Sequence, residues 1–331
     1  MVECVYMKSV EFEVSVIIPT YKRIKDLESC LNSILTQSVL PKEILIIDDT
    51  PDDSIENLCK QKKKQFRNKK INLVYIRNYK EASSAIARNI GIKHAKGNIV
   101  LFLDSDVILD KNYIKEILNV YQNYPNALGV QGYITNYKIT RQCIAKLFFS
   151  THFEMNRNRL LPSVQNVYAG PLTKIINCQW LVGNNCSYKR EVLEKFKFDE
   201  KLKRFSSGED QDLSYRIYKK HAGSLYQTPY AKLIHKISLE GRMPNRILIY
   251  MGEIYRMYIF YKIIEQNIKN KLIFLWSMVG RLLVSIKDLI LKPSREKSLR
   301  LKYLIDAYIL CIKHRKDIKK GNLEFFNKTL R

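Results

Sequence analysis

The chain has 331 residues, of which 46% are hydrophobic, and 57 Lys+Arg against 32 Asp+Glu give it a formal charge of +25. That apolar share is enough for a full core, so wholesale disorder and collagen-like or low-complexity organisation are excluded. The length allows one large domain or two ordinary ones.

Residues 14–19 form a β-branched run stopped by proline, and 43–48 form a second. Between them Leu27, Leu31, Ile34 and Leu35 follow helical spacing, which makes a βαβ unit. Residues 71–76 predict a third strand, 82–95 a helix, and 98–103 a fourth strand that runs straight into Asp104. This alternation predicts an α/β fold with a mostly parallel sheet covered on both faces. Helices are predicted near 113–121 and over 209–220, separated by a loop-rich middle in which Gln179 to Val182 lead into Gly183-Asn184-Asn185. From 236 onward 21 Lys+Arg face 8 Asp+Glu in long helical patterns, so 1–235 is read as the α/β domain and 236–331 as a basic helical region.

In open α/β sheets ligands sit at the carboxyl ends of the strands. Those ends read Pro19-Thr20-Tyr21-Lys22-Arg23, Asp48-Asp49-Thr50 and Asp104-Ser105-Asp106, three polar clusters expected to meet in one crevice. Two carboxylates at the end of a buried strand are costly without a cation, and oxygen ligands of this kind suit Mn²⁺ or Mg²⁺ shared with diphosphate oxygens. A loop acidic pair without a metal is the alternative.

The motifs from Val14 to Lys22, Ile46 to Asp53, Ala87-Arg88-Asn89-Ile90-Gly91, Leu103 to Asp106, Gly183 to Asn185 and Gly208-Glu209-Asp210 occur in order. Over residues 14–236 the chain resembles a family 2 glycosyltransferase with the GT-A fold, a Rossmann-like mixed sheet with flanking helices. The resemblance implies that Pro19, Thr20, Tyr21, Arg23, Asp49, Arg88 and Asp104 bind the nucleotide, with Asp49 on the base and Asp104 toward the ribose. It implies Asp104, Asp106 and His235 as ligands of Mn²⁺ or Mg²⁺, Asp210 as the catalytic base, and Glu209 beside it orienting the acceptor. Trp180, Gly183 and Asn184 match a loop that contacts the donor and acceptor sugars. Each has a plainer reading beside it: a helix N-terminus for Gly208 to Asp210, core packing for Trp180, a packed imidazole for His235. The family's Asp-Gly-Ser is Asp49-Thr50-Pro51 here, a departure that affects loop conformation more than base recognition. A processive Gln-x-x-Arg-Trp segment is absent from Gln211 to Arg216, which points to addition of a single sugar. The implied activity is metal-dependent, inverting transfer from a nucleotide-diphosphate sugar, UDP-sugar favoured, to a lipid-linked or cell-surface glycan.

In the basic region, Ile247, Tyr250, Met251, Ile254, Tyr258 and Tyr261 keep helical spacing among Arg246, Arg256 and Lys262, which suits either a membrane surface or packing on the first domain. Residues 272–286 are the most hydrophobic, but Arg281 interrupts them and Lys287-Asp288 follow, short of the roughly 20 apolar residues of a span, so an interfacial helix is expected. Residues 300–320 read as a solvated or lipid-facing cationic stretch. Seven cysteines without a CxxC pair, and Glu3, Glu11 and Glu13 at the start of the chain, fit a cytoplasmic protein without a secretory signal, peripheral on the inner face of an anionic membrane. The charge alone would also suit a nucleic-acid binder, but carboxylate-rich loops repel a phosphate backbone and no nucleic-acid motif appears, so no nucleic-acid partner is expected. A dehydrogenase reading fails because no glycine pair is spaced GxG.

Overall fold

The computed structural model describes residues 11–137, 143–204, 207–238 and 243–330. Strands β1 (Val14–Thr20), β2 (Glu43–Asp48), β3 (Asn72–Arg77) and β4 (Ile99–Leu103) alternate with helices α1 (Ile24–Leu35), α2 (Ser54–Asn68) and α3 (Ser84–His94). Then come β5 (Val107–Leu109), α4 (Tyr113–Asn123), β6 (Gly129–Ile134), α5 (Cys143–Leu147) and the short strands β7 (His152–Glu154), β8 (Arg159–Leu160), β9 (Asn166–Ala169) and β10 (Ile176–Asn177). Strand β11 (Asn185–Lys189), helices α6 (Arg190–Lys195) and α7 (Glu209–Lys220), and strand β12 (Leu225–His235) complete the α/β part. Helices α8 (Asn245–Ile263), α9 (Ile268–Leu291), α10 (Arg295–Lys313), α11 (Arg315–Lys320) and α12 (Glu324–Asn327) follow.

One mixed sheet runs β10-β12-β6-β11-β4-β1-β2-β3, with β5 against β12. Strands β4, β1, β2 and β3 are parallel, as the alternation of runs and helices required. The other half is mixed: β11 is antiparallel to both β4 and β6, while β12 is parallel to β6 and antiparallel to β5 and β10. Every residue of β2 and β4 is buried, and apart from Glu43 and Asp48 at the ends of β2 they are apolar throughout rather than alternating. Leu27, Leu31 and Ile34 of α1, Ile55 and Phe66 of α2, and Ile114 and Ile117 of α4 cover one face of the sheet. Ala85 and Ile92 of α3, Leu193 of α6, and Leu213 and Ile217 of α7 cover the other. Each fully buried aliphatic side chain contributes about 1.5–3 kcal/mol.

The strand β12 ends at His235, where the basic region begins, yet the helices beyond it share a core with the preceding chain. Tyr250, Met251, Ile254, Tyr255 and Phe260 of α8 pack with Leu160, Val164, Trp180 and Leu202. Helix α8 is buried around most of its circumference, so of its two expected settings packing is the one observed, and its tyrosines do not lie at a headgroup level. The buried Arg256 is held by Glu253 at 2.7 Å, and Glu253 also accepts an ion pair at 2.7 Å from Arg281 of α9. That explains a lone arginine inside the most apolar segment. Among the described residues no helix is long and apolar enough to cross a membrane, and the six cysteines among them are all free thiols.

Candidate active site

Because β1, β2 and β4 are parallel and adjacent, the loops after them open on one side of the sheet. They line a cavity of about 480 Å³ to which Pro19, Thr20, Tyr21, Arg23, Asp49 and Asp104 all contribute. The expected crevice therefore forms, and Ser84, Arg204, Met243 and Pro244 close it from elsewhere in the chain.

At one end of the cavity, the two acids after β2 face opposite ways. Asp48 turns inward and accepts from the Thr50 amide at 2.8 Å and the Tyr75 hydroxyl at 3.0 Å. Asp49 turns to the cavity and accepts from the Asn78 amide at 2.6 Å and the Ser83 N–H at 3.1 Å. Burial pushes the Asp49 carboxyl up to about 6, against the lowering effect of those two hydrogen bonds. Arg204, which also lines the cavity, donates to the Leu330 carbonyl at 2.8 and 2.6 Å, so the end of the helical region fixes a cation at the pocket.

At the other end, strand register places the metal-ligand candidates. The antiparallel pairing of β5 with β12 sets His235 opposite Val107, one residue past Asp106, and the pairing of β11 with β4 sets Asn185 opposite Leu103. Ligand atoms of Asp104, Asp106 and His235 consequently lie within 4.8 Å of one another. Asp106 is buried, and its Oδ2 accepts from the Ser238 N–H at 2.9 Å and from Arg23 at 3.3 Å. Its buried Oδ1, with no satisfied hydrogen bond, faces His235 Nε2 at 3.2 Å. Burial disfavours a charged His235, but the neighbouring Asp106 and Asp104 outweigh it and raise the imidazole's pKa. This is a cluster that favours added positive charge.

Asp210 sits in the first turn of α7, entered through Gly208, whose φ of 92° needs the left-handed conformation glycine tolerates. The Asp210 carboxylate accepts from the Gly183 N–H at 2.9 Å and from the Gln211 N–H at 2.8 Å. Burial raises its pKa while those N–H groups and Arg88 pull it back, so the helix N-terminus and a perturbed acid coexist in one residue.

Five other site candidates, Arg88, Glu209, Trp180, Gly183 and Asn184, are engaged in contacts within the protein. Arg88 does not line the nucleotide cavity: it is 3% exposed and donates to Glu209, to Asp104 at 3.2 Å and to the Gly183 carbonyl at 3.3 Å. Glu209, itself buried, is thereby committed to Arg88 rather than to an acceptor. Trp180 has no exposed surface and packs edge-on against Tyr168 with ring centroids 5.0 Å apart, so its face is not open to a sugar. Asn184 is buried with its amide 3.2 Å from His235 Nδ1, and the Gly183 backbone links Asp210 to Arg88. A Cβ on Gly183 would lie 3.2 Å from Arg88 and 3.3 Å from Asp210 Cβ, which leaves little room for a side chain there.

Sequence reasoning missed Arg204 at the pocket and Asn78 and Ser83, which hold Asp49, since single polar residues in loops carry no periodicity. It also missed Tyr137, whose ring meets Tyr168 at 5.9 Å and whose hydroxyl pKa is pushed up by burial and by the nearby Asp104, Asp210 and Asp106. A Tyr137–Tyr168–Trp180 aromatic ladder thus runs from the core to the acidic cluster.

Comparison with known proteins agrees with this geometry. The chain is 27% identical over 233 residues to glycosyltransferase GlyA of Streptococcus pneumoniae, covering 70% of this chain and 32% of that protein. It is 28% identical over 234 residues to the minor teichoic acid biosynthesis protein GgaB of Bacillus subtilis, covering 67% and 23%. The matched stretch thus spans a third or less of these relatives. S. aureus TarS 1-349 superposes with a TM-score of 0.53 at 18% identity, covering 95% of this chain and 89% of that one. Mannosyltransferase PcManGT from Pyrobaculum calidifontis, solved with GDP-Man and Mn²⁺, gives 0.55 at 15% identity, covering 91% and 87%. Both likenesses are of fold, and the fold is GT-A. Residues 15–197, more than half of the chain, match the Glycosyl transferase family 2 model, and the protein belongs to that family.

Proposed function

We propose that this chain is a metal-dependent, inverting glycosyltransferase that moves a single sugar from a uridine-diphosphate sugar to a lipid-linked or cell-surface glycan presented at the inner face of the cell membrane. The observation that carries this reading is the convergence of one nucleotide-sized cavity and the Asp104–Asp106–His235 cluster at neighbouring strand ends, with Asp210 in the first turn of α7 tied to Gly183 just before β11. TarS has been solved with UDP-GlcNAc, which supports the choice of a uridine nucleotide.

Asp49 accepts a hydrogen bond from the base, and Tyr21 and Thr20 flank the nucleoside. Two carboxylates and an imidazole, with Asp106 Oδ1 buried and without a hydrogen-bond partner, fit Mn²⁺ or Mg²⁺, so Asp104, Asp106 and His235 would hold the ion. An ion held there would supply positive charge to offset the negative charge of the departing diphosphate. Asp210 takes the proton of the acceptor hydroxyl while the new C–O bond forms at the anomeric carbon, on the face opposite the breaking bond to the diphosphate oxygen. Desolvation strengthens Asp210 as a base, and the Gly183 and Gln211 N–H groups fix its direction. Arg88 and Glu209 are positioning residues behind it.

Asp210→Asn can keep only one of the two backbone hydrogen bonds, since the Gly183 and Gln211 N–H groups bond to different oxygens, and it has no basic oxygen for the acceptor proton. It should lower transfer by about 10²–10⁴-fold, the usual worth of a general base, while the Kd for UDP stays close to wild type. Undiminished transfer with intact UDP binding would remove Asp210 from the chemistry.

A further inference from the structure

Packing accounts for α8, but not for the outer face of α9. There Leu272, Leu275, Trp276, Val279, Leu283 and Ile290 recur at helical intervals, each at least 44% exposed. The opposite side of the helix, with Phe274, Ser277 and Gly280, is buried, and Gly280 lies against the Phe148 ring. At 1.5 Å per residue the apolar stripe is about 27 Å long. Leu147 of α5, 60% exposed, extends it sideways. The Trp276 indole N–H donates to the Leu147 carbonyl at 2.9 Å and its ring lies 5.3 Å from Phe148, so the patch is held in shape before anything binds. Contiguous apolar surface of this extent marks an interaction site.

Charge decides what covers it. Lys269 and Lys271 at one end and Lys287 and Lys292 at the other are exposed. Among the described residues Arg281 is the cation of α9 with an ion pair, and it points to Glu253 inside the bundle. Residues 268–313 carry 10 Lys+Arg against 3 Asp+Glu, in a chain of +25 overall. Pairing two copies through α9 would set these lysines against one another. A surface with apolar depth and anionic phosphates at its rim satisfies both the stripe and the lysines, and an anionic lipid bilayer has that chemistry.

We propose that α9 docks the protein on an anionic membrane, lying in the plane of the interface with Trp276 and the leucines in the acyl boundary and the flanking lysines among the headgroups. The inference rests on the C-terminal helices alone and can fail while the transferase reading stands. Arg281 does not oppose it, since that side chain is paired on the protein side.

The test uses the full chain and phosphatidylcholine vesicles with and without phosphatidylglycerol, in the absence of donor and acceptor. The two tryptophans are Trp180, fully buried, and Trp276, so a change in emission on binding reports Trp276. The expected result is a blue shift, and quenching by brominated acyl chains, with anionic vesicles and not with neutral ones. Leu275→Glu/Leu283→Glu, both at exposed positions, should keep the wild-type melting temperature. Lys269→Gln/Lys271→Gln/Lys287→Gln should weaken vesicle binding about a hundredfold, from roughly 1 kcal/mol per lysine, and the Leu275→Glu/Leu283→Glu variant should weaken it comparably. Unchanged emission of the wild type with anionic vesicles overturns the proposal. So does a concentration-dependent dimer abolished by Leu275→Glu/Leu283→Glu, which would assign the face to a second copy.

Discussion

Replacing Arg88 with methionine probes the electrostatic link behind the site. Arg88 is 3% exposed and Glu209 6%, so the methionine leaves a carboxylate buried without its cation. Removing one partner of a buried pair costs about 3–5 kcal/mol. At about 2–4 °C per kcal/mol for a chain of a few hundred residues, the melting temperature should fall by roughly 10 °C. Burial already raises the Glu209 pKa, Arg88 opposing and Asp210 reinforcing the rise, and loss of Arg88 raises it further. The extra cost of losing Arg88 arises where Glu209 is ionised in the wild type but pushed toward the neutral form in the variant, so it is relieved as pH falls below the wild-type Glu209 pKa of about 8 and is largest in alkaline buffer. Adding Glu209→Gln should restore much of the loss, with a coupling energy of about 1–3 kcal/mol in the double-mutant cycle. Denaturant unfolding of the wild type, both single variants and the double variant, in mildly acidic and mildly alkaline buffer, measures all of this. Additive effects, or a methionine variant within about 1 kcal/mol of wild type at both pH values, would refute Arg88–Glu209 as a coupled support.

Three further predictions concern the cleft. With the Asp49 carboxyl near 6, UDP affinity should fall as pH drops through about 6 and level off above it; Asp49→Asn, in which the nucleotide's own ionisation still acts, should lose that extra slope, and identical calorimetric pH profiles would contradict the assignment. Gly183→Ala brings a methyl to 3.2 Å from Arg88 and 3.3 Å from Asp210 Cβ. A small shift of Asp210 should lower kcat by about 10–100-fold with little change in Kd for UDP, whereas an unchanged kcat would mean that Asp210 tolerates displacement. Trp180→Ala should cost about 3–5 kcal/mol as a core truncation, and Trp180→Phe should retain donor affinity; a stable variant with selectively weakened sugar binding would return Trp180 to a sugar-contacting role.

The parallel half of the fold was legible because buried parallel strands are continuous apolar runs, and the residues ending them, Thr20, Asp49 and Asp104, fall at the cleft by topology. The antiparallel half was not. Strand β11, Asn185-Cys186-Ser187-Tyr188-Lys189, has only Cys186 and Tyr188 as apolar residues and lacks a β-branched side chain, and β12 contains Thr228 and Pro229. Yet the registers of these two strands bring Asn184 and His235 to the acids. Motif position alone could nominate Arg88 and Glu209 but not their pairing, which spans 121 residues and depends on α3 and α7 covering the same face of the sheet. Helical spacing in the basic region predicted α8 and α9 alike; only tertiary packing separates a helix buried around most of its surface from one with a bare stripe.

The central claim is that Asp104, Asp106 and His235 form a metal seat for a nucleotide diphosphate. Calorimetric titration of UDP, with GDP in parallel, into the wild type and Asp106→Asn, with and without Mn²⁺, tests it most directly. Mn²⁺ should tighten nucleotide binding to the wild type and leave Asp106→Asn unaffected. Equal affinity with and without Mn²⁺, or an undiminished Mn²⁺ effect in Asp106→Asn, would contradict it.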